Sequence, residues 1–273
     1  MHQRVLITGA GGTVGRALRD GLAGRYPTLH LSDREPIDDL GDGEESVVAD
    51  AQDMAAVQRS MEGVDAVVHL GSLPVEYPWE DILPNNIAGT YNTYEAARLA
   101  GVGRILFASS NHAIGFYRRD LTLDHRTAPR PDTRYGLSKA FGEHLGSYYA
   151  DKFGLRVLNI RIGSCNPPNK PLDVRHLSTW ISHRDMAQLV RVGLDYPDLH
   201  YATVYGMSGN TRGWWDNTLA YTMGYAPEDN AEDFADEVAP EPDDPVANAF
   251  HGGVYTSDEW HGDLERTTAH DGT

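Results

Sequence analysis

Over the first two-thirds of the chain, short apolar runs alternate with stretches in which apolar residues recur every three or four positions. Val5–Thr8 (VLIT), Leu29–Ser32, Ser46–Ala49, Ala66–Leu70 (AVVHL), Arg104–Ala108 (RILFA) and Leu155–Ile160 (LRVLNI) read as strands. Between them, Thr13–Leu22 sets Val14, Leu18 and Leu22 on one face of a helix. The spacing predicts further helices over Asp53–Met61, near Asn86–Ala100 and over Tyr135–Phe153. Strands that alternate with helices imply an α/β fold of the Rossmann type, a doubly wound parallel sheet covered on both faces.

The pattern changes after Arg161. Pro167, Pro168 and Pro171 mark a loop. A helix capped by Ser182 is predicted to run to Leu194, followed by a strand near Ala202–Tyr205. Beyond Ala226 the chain is acidic and irregular, with PEPDDP over Pro240–Pro245. Three parts are therefore expected: a Rossmann core over 1–161, a substrate-side segment packed on it over 162–230, and a loosely attached acidic tail over 231–273. The acidic run Asp38–Glu45 reads as a solvated loop.

Composition narrows the function. The 273 residues carry 40 acidic and 23 basic side chains, a net charge of −17. No basic stripe appears, which argues against a nucleic-acid partner. No apolar run approaches the ~18 residues of a membrane helix. Gly9, Gly11 and Gly12 interrupt the first apolar run, so it does not read as a secretion signal. Cys165 is the single cysteine, which fits a reducing, cytoplasmic setting. Only Lys139, Lys152 and Lys170 are lysines. Many carboxylates with few lysines suit a halophilic surface screened by high salt. A lineage that simply prefers arginine would look the same.

The first strand runs into TGAGGTVG, with Gly9, Gly12 and Gly15 spaced as GxxGxxG. Glycine lets the chain turn sharply off a strand and lets backbone approach a pyrophosphate without a Cβ between them. The helix that follows presents its N-terminal N–H groups to the phosphates. A tight strand–helix turn without a ligand is the competing reading. Asp33 ends the second strand, eighteen residues after Gly15. There its carboxylate can accept both hydroxyls of an adenosine ribose and repel a 2′-phosphate, which favours NAD over NADP. The adjacent Arg34 could instead hold that phosphate. Asp50, after the third strand, can reach the adenine or cap the next helix.

Tyr135 and Lys139 form YxxxK on a predicted helix, and the i, i+4 spacing puts both side chains on one face. Ser110 lies near the end of the fifth strand, twenty-five residues before Tyr135. In a doubly wound sheet the C-terminal strand ends face the ligand crevice, so Ser110 converges with Tyr135 beside the glycine loop. No histidine pair has metal-ligand spacing with carboxylates, so no metal is expected.

Taken together, TGAGGTVG, Asp33, HLGS (His69–Ser72), NNIAGTYNTYEAA (Asn85–Ala97), FASSNH (Phe107–His112) and YGLSK (Tyr135–Lys139) resemble the extended short-chain dehydrogenase/reductase family. SSNHAIGFY, RIGSC (Arg161–Cys165), RHLSTW (Arg175–Trp180) and GWWDN (Gly213–Asn217) resemble its uronate dehydrogenase branch. The resemblance implies an NAD-dependent sugar 1-dehydrogenase that oxidises the anomeric carbon of a cyclic sugar to a lactone. Tyr135 would be the general base, Lys139 would lower its pKa and bind the nicotinamide ribose, and Ser110 would hold the reacting hydroxyl. The resemblance adds Thr13, Val14, Leu70, Gly71, Asn86 and Ile162 to the cofactor contacts, although Asn86 could equally be a helix cap. A homo-oligomer built on the helices at Asn86–Ala100 and Tyr135–Tyr149 is a family expectation.

On the substrate side the resemblance assigns Arg175 to a sugar carboxylate, which a guanidinium fork binds in bidentate fashion. It assigns Ser72, Asn111, His112 and Ser164 to sugar oxygens. Arg175 could instead pair with Asp173. One departure falls here: Gly71–Glu76 reads GSLPVE, with Pro74 where that branch carries a serine. The segment from Cys165 to Arg175 also looks longer. Both differences touch the substrate rather than the cofactor, so a neutral aldose or an aldose phosphate competes with a uronate. A sugar-nucleotide epimerase or dehydratase shares the YxxxK pair but generally carries a larger C-terminal domain. A nucleotide-sensing regulator would not need Ser110, Tyr135 and Lys139 together. Trp214 and Trp215 read as a pin between the C-terminal segment and the core.

Overall fold

The computed structural model describes residues 2–270. Seven parallel strands form one sheet in the order β3-β2-β1-β4-β5-β6-β7. They are β1 (Arg4–Thr8), β2 (Thr28–Asp33), β3 (Glu44–Val48), β4 (Ala66–His69), β5 (Arg104–Ser110), β6 (Arg156–Ile162) and β7 (Tyr201–Gly206). The strand order reverses between β1 and β4, where Thr8 pairs in register with His69. Ligands bind at such a reversal, beyond the C-terminal strand ends.

Helices cover both faces, as the alternating pattern requires. The first of them, α1 (Thr13–Leu22), α2 (Met54–Ser60) and the single turn α3 (Trp79–Ile82), precede α4 (Gly89–Ala100) and α5 (Arg134–Phe153). Later come the short α6 (His176–Thr179), α7 (His183–Asp195) and α8 (Thr218–Met223). One apolar core joins Leu18 and Leu22 of α1 to Met186, Leu189 and Val190 of α7 across β1 and β2. A second packs Val57 of α2, Tyr94 of α4 and Tyr149 of α5 on Leu6, Ile105 and Val157.

The predicted helices keep their positions, with instructive differences at their ends. Ser182 caps α7 by accepting from the backbone N–H of Asp185 at 3.0 Å. Thr133 caps α5 in the same way, through Gly136 N at 2.8 Å. The helix expected near Asn86 begins as a π-helical turn, Leu83–Ala88, in which the N–H of Gly89 reaches back to the carbonyl of Pro84. Strand β5 continues two residues past Ala108, because Ser109 and Ser110 still pair with Arg161 and Ile162 of β6.

Two expectations about acidic segments fail. The run Asp38–Glu45 is not simply a solvated loop: Arg19 of α1 donates to both carboxylate oxygens of Glu44, at 3.1 and 2.9 Å, and to Asp39 at 3.0 Å. The C-terminal segment is not loosely attached either. It forms α9 (Pro245–Ala249), α10 (Val254–Ser257) and α11 (Leu264–Ala269), and Phe250 and His251 are fully buried. Its acids find the arginines of the core: Glu241 pairs with Arg119 at 2.6 Å and Glu259 with Arg134 at 2.7 Å. The PEPDDP stretch starts a helix, since Asp244 accepts from Val246 N and Ala247 N. Helices of four to six residues leave no periodicity in a sequence, which is why the segment reads as irregular.

The tryptophan pair pins this segment as expected. Trp215 stacks on Tyr205 with ring centroids 5.0 Å apart, and its Nε1 donates to Nδ1 of His251 at 3.1 Å. Trp214 packs on the other side of the same imidazole, 4.9 Å between centroids.

Candidate active site

A cleft of roughly 1040 Å³ runs along the C-terminal edge of the sheet. Its floor is made by the residues that follow β1, β2, β4, β5 and β6. At one end are Gly9, Gly12, Thr13, Val14 and Gly15, with Asp33 and Asp50. Leu70, Gly71 and Ile162 line the middle, and Ser110, Asn111, His112, Ser164 and Arg175 line the other end beside Tyr135 and Lys139. The sequence thus brings nearly all its candidate residues to one place.

The glycine loop has the shape that a pyrophosphate needs. Gly9 has φ +67°, and a Cβ there would meet the backbone of Gly71 at 2.9 Å. A Cβ on Gly15 would lie 2.6 Å from Cα of Ala10, so the helix start can sit close under the loop only as glycine. Gly12 caps α1 without a side-chain hydrogen bond, which leaves the first-turn N–H groups available to an anion. The chain therefore fits a dinucleotide. Asp33 accepts from Gly11 N at 2.9 Å and Arg34 N at 2.8 Å, which fixes its carboxylate at the end of β2. Asp50 is not the helix cap: Asp53 caps α2, and Asp50 accepts from Gln52 N at 2.9 Å in a turn.

Asn86 is the exception. It is buried behind the cleft wall rather than in it. Its Oδ1 accepts from Leu73 N at 2.9 Å, and its Nδ2 donates to Leu73 O and to Ser138 Oγ at 3.2 and 3.1 Å. It is neither a cap nor a lining residue. The π-helical turn aims it inward, where it ties the loop after β4 to α5.

Tyr135 and Lys139 are both buried on α5. Burial pushes the Tyr135 phenol up to about 12, and a hydrogen bond with Ser110 opposes that rise. Burial pulls the Lys139 ammonium down to about 7. Its Nζ donates to Ser72 Oγ at 2.8 Å and lies 5.3 Å from the Tyr135 ring centroid. Each group is penalised alone in its charged form, whereas phenolate and ammonium together relieve one another. Ser110 accepts from His112 N at 3.1 Å, which fixes its oxygen at the mouth of β5. One helical turn further along α5, Glu143 binds Arg161 of β6 through two hydrogen bonds of 2.9 Å and accepts from Ser109 Oγ at 2.6 Å.

Arg175 does not pair with Asp173, which instead accepts from His176 N at 2.9 Å. Arg175 is half-buried and lines the cleft. Nε donates to the carbonyl of His251 at 2.8 Å. With the Asn111 amide turned to donate to Ile162 O, its oxygen accepts from Arg175 Nη2 at 2.5 Å. No carboxylate of the described residues forms an ion pair with this cation; desolvation lowers its pKa to about 10, and the charges of Asp132 and Asp173 oppose that fall. Ser164 shares a hydrogen bond with Thr179 Oγ1 at 2.9 Å.

Sequence reasoning missed three contributors. Tyr255 of the C-terminal segment lines the cleft, with its ring edge-on to His112 at 4.7 Å. Glu76 accepts from Tyr135 N at 2.8 Å and pairs with Arg134 at 2.7 Å, which anchors the start of α5 to the loop holding Pro74. Asp132 accepts from Nδ1 of His112 at 2.8 Å. Only Asp132 carried a signal in the chain, a carboxylate three residues before Tyr135.

A family model described as "NAD dependent epimerase/dehydratase family" matches residues 5–194. The chain belongs to that family. It is 44% identical over 264 residues to a uronate dehydrogenase of Pseudomonas syringae pv. tomato, an alignment covering 95% of each chain. It is 40% identical to an NAD-dependent glucose-6-phosphate dehydrogenase of Haloferax volcanii, over 88% of this chain and 98% of that one. A mutant uronate dehydrogenase of Agrobacterium tumefaciens, solved in complex with NAD, superposes with a TM-score of 0.88 at 44% identity, covering 93% of this chain and 97% of that one.

Proposed function

We propose that this protein is an NAD-dependent uronate dehydrogenase, which oxidises the anomeric carbon of glucuronate or galacturonate to the lactone. The carrying observation is Arg175, a half-buried guanidinium that makes no carboxylate ion pair among the described residues, in the same cleft as Ser110, Tyr135 and Lys139. A cleft cation of this kind, partly desolvated and with no ion pair of its own, gains from an anion, and a sugar carboxylate supplies one at the right end of the cleft. Ser110 and Tyr135 hold the anomeric hydroxyl, and Tyr135 takes its proton as that carbon is oxidised. Lys139 stabilises the phenolate. Gly9, Gly12, Thr13, Val14, Gly15, Asp33, Asp50, Leu70, Gly71 and Ile162 would hold NAD, which supplies the hydride acceptor.

An aldose phosphate is the second reading, favoured by Pro74 and by the similarity to a glucose-6-phosphate dehydrogenase. Initial rates of NAD reduction with glucuronate, galacturonate, arabinose, glucose and glucose 6-phosphate decide between them. Preference for the uronates supports the Arg175 clamp. Preference for a neutral or phosphorylated aldose overturns the uronate reading and leaves Ser110, Tyr135 and Lys139 in their roles.

The reading extends to setting and assembly: a cytoplasmic, halophilic homo-oligomer. The net charge of −17 and the three lysines support salt dependence. A melting temperature that does not rise between low and molar KCl would refute it. Size-exclusion mass tests the assembly.

A further inference from the structure

We propose that Asp132 is a positioning residue that fixes the tautomer of His112, so that His112 offers a bare Nε2 as a hydrogen-bond acceptor to a sugar hydroxyl. The proposal rests on the sugar-oxidising reading above and deepens it. The Asp132 side chain is 0% exposed. Its Oδ2 takes Nδ1 of His112 at 2.8 Å and its Oδ1 accepts from Thr133 Oγ1 at 3.1 Å. An ionised carboxylate only accepts, so Nδ1 carries the proton. Nε2 then carries the lone pair in the neutral ring.

The surroundings hold that ring in one orientation. It stands edge-on to Tyr135 at 6.0 Å and to Tyr255 at 4.7 Å. Asp132 itself has no room to turn, because a Cβ at either Gly115 or Gly252 would overlap its carboxylate. His112 lines the cleft, and among the described residues its Nε2 makes no hydrogen bond.

The chemistry of the substrate end calls for such an acceptor. Arg175 and Lys139 only donate, and the Asn111 oxygen is taken by Arg175. The carboxylates that line the cleft, Asp33, Glu35, Asp38, Asp39 and Asp50, all follow β2 or β3 at the far end. A sugar presents several hydroxyl protons, and an unpaired buried donor is costly. His112 Nε2 takes one of them.

A double-mutant cycle read together with an imidazole spectrum tests this. In the NAD-bound protein, nitrogen-15 spectra should show His112, identified by its loss in His112→Ala, protonated at Nδ1 and bare at Nε2. Asp132→Asn should lower kcat/KM for glucuronate roughly 10- to 100-fold, chiefly through KM. The dissociation constant for NAD should stay within about twofold, because Asp132 stands apart from the cofactor end. In a His112→Ala background the same change should cost less than about threefold. A proton on Nε2 in the wild type overturns the proposal, as does an equal cost of Asp132→Asn with and without His112. Where Asp132→Asn fails to fold, the wild-type spectrum decides alone. Absence of NADH from every sugar would remove the uronate reading, and the spectrum would still report the tautomer.

Discussion

The Nε–H of Arg175 donates to the main-chain carbonyl of His251, 2.8 Å away and seventy-six residues along the chain. The cation at the substrate end is thus held by the C-terminal segment, and that segment is held by the tryptophan pair. The Arg175 end of the cleft and C-terminal docking are one structural unit.

Arg175→Lys should test the fork. Lysine keeps a charge but cannot give two parallel N–H bonds to a carboxylate while also binding His251 and Asn111. We expect kcat/KM for glucuronate to fall by about 10²-fold or more, equivalent to about 3 kcal/mol. NAD affinity should be unchanged in equilibrium titration. A variant that keeps uronate kinetics within a few-fold would remove Arg175 from the carboxylate site.

Tyr255 contributes through its ring rather than its hydroxyl, because it meets His112 edge-on. Tyr255→Phe should retain activity. Tyr255→Ala should raise KM for the sugar by about 2- to 10-fold, the range of an aromatic pair worth ~0.5–1.5 kcal/mol. Steady-state kinetics with saturating NAD reads both. Equal loss in the two variants would point to the hydroxyl instead.

The pH profile follows from two opposed shifts. Burial raises Tyr135 to about 12, so the phenolate that takes the proton is scarce at neutral pH and grows as pH rises. The Lys139 ammonium favours that phenolate, but its own pKa falls to about 7 in the protein without ligands. Activity should therefore climb from neutral to alkaline pH. Lys139→Met removes the ammonium and should move the ascending limb upward by about one unit or more. A pH–rate profile unchanged in that variant would separate Lys139 from Tyr135 ionisation.

Much of this site was legible because its residues sit at predictable points of a parallel sheet. Gly9, Asp33, Ser110 and Ile162 all follow the C-terminal ends of apolar runs, and the fold gathers those ends. Asn86 was misplaced because a helix that opens with a π turn rotates its side chains away from regular spacing. Tyr255 was invisible for another reason. It sits in a four-residue helix, and long-range ties such as the Arg119 and Arg134 ion pairs and the Trp215–His251 hydrogen bond bring its segment to the cleft. Contacts that distant leave no local pattern.

Acid should loosen the molecule through imidazoles that burial keeps neutral, His69 and His251 most strongly, with His30 and His176 shifted in the same direction. Burial lowers His69 to about 3 and His251 to about 3. In the unfolded chain each returns to about 6.5. Between those values the unfolded state binds more protons than the folded one, so stability rises with pH across the window. It is fully present above about pH 6.5 and is lost as pH falls toward 3, at about 1.4 kcal/mol per pH unit for each histidine. Carboxylates with lowered pKa values, such as Glu44 and Glu95, act in the same direction only below about pH 4.5. The interval from pH 6.5 to 4.5 therefore belongs to the histidines. Urea unfolding across it should show a stability loss of about 2–5 kcal/mol. His69→Gln should reduce the slope without abolishing it, since glutamine can still accept from Thr8 but does not titrate, while His251, His176 and His30 still do. A flat stability curve over that interval would mean that these imidazoles take up protons without leaving their buried sites.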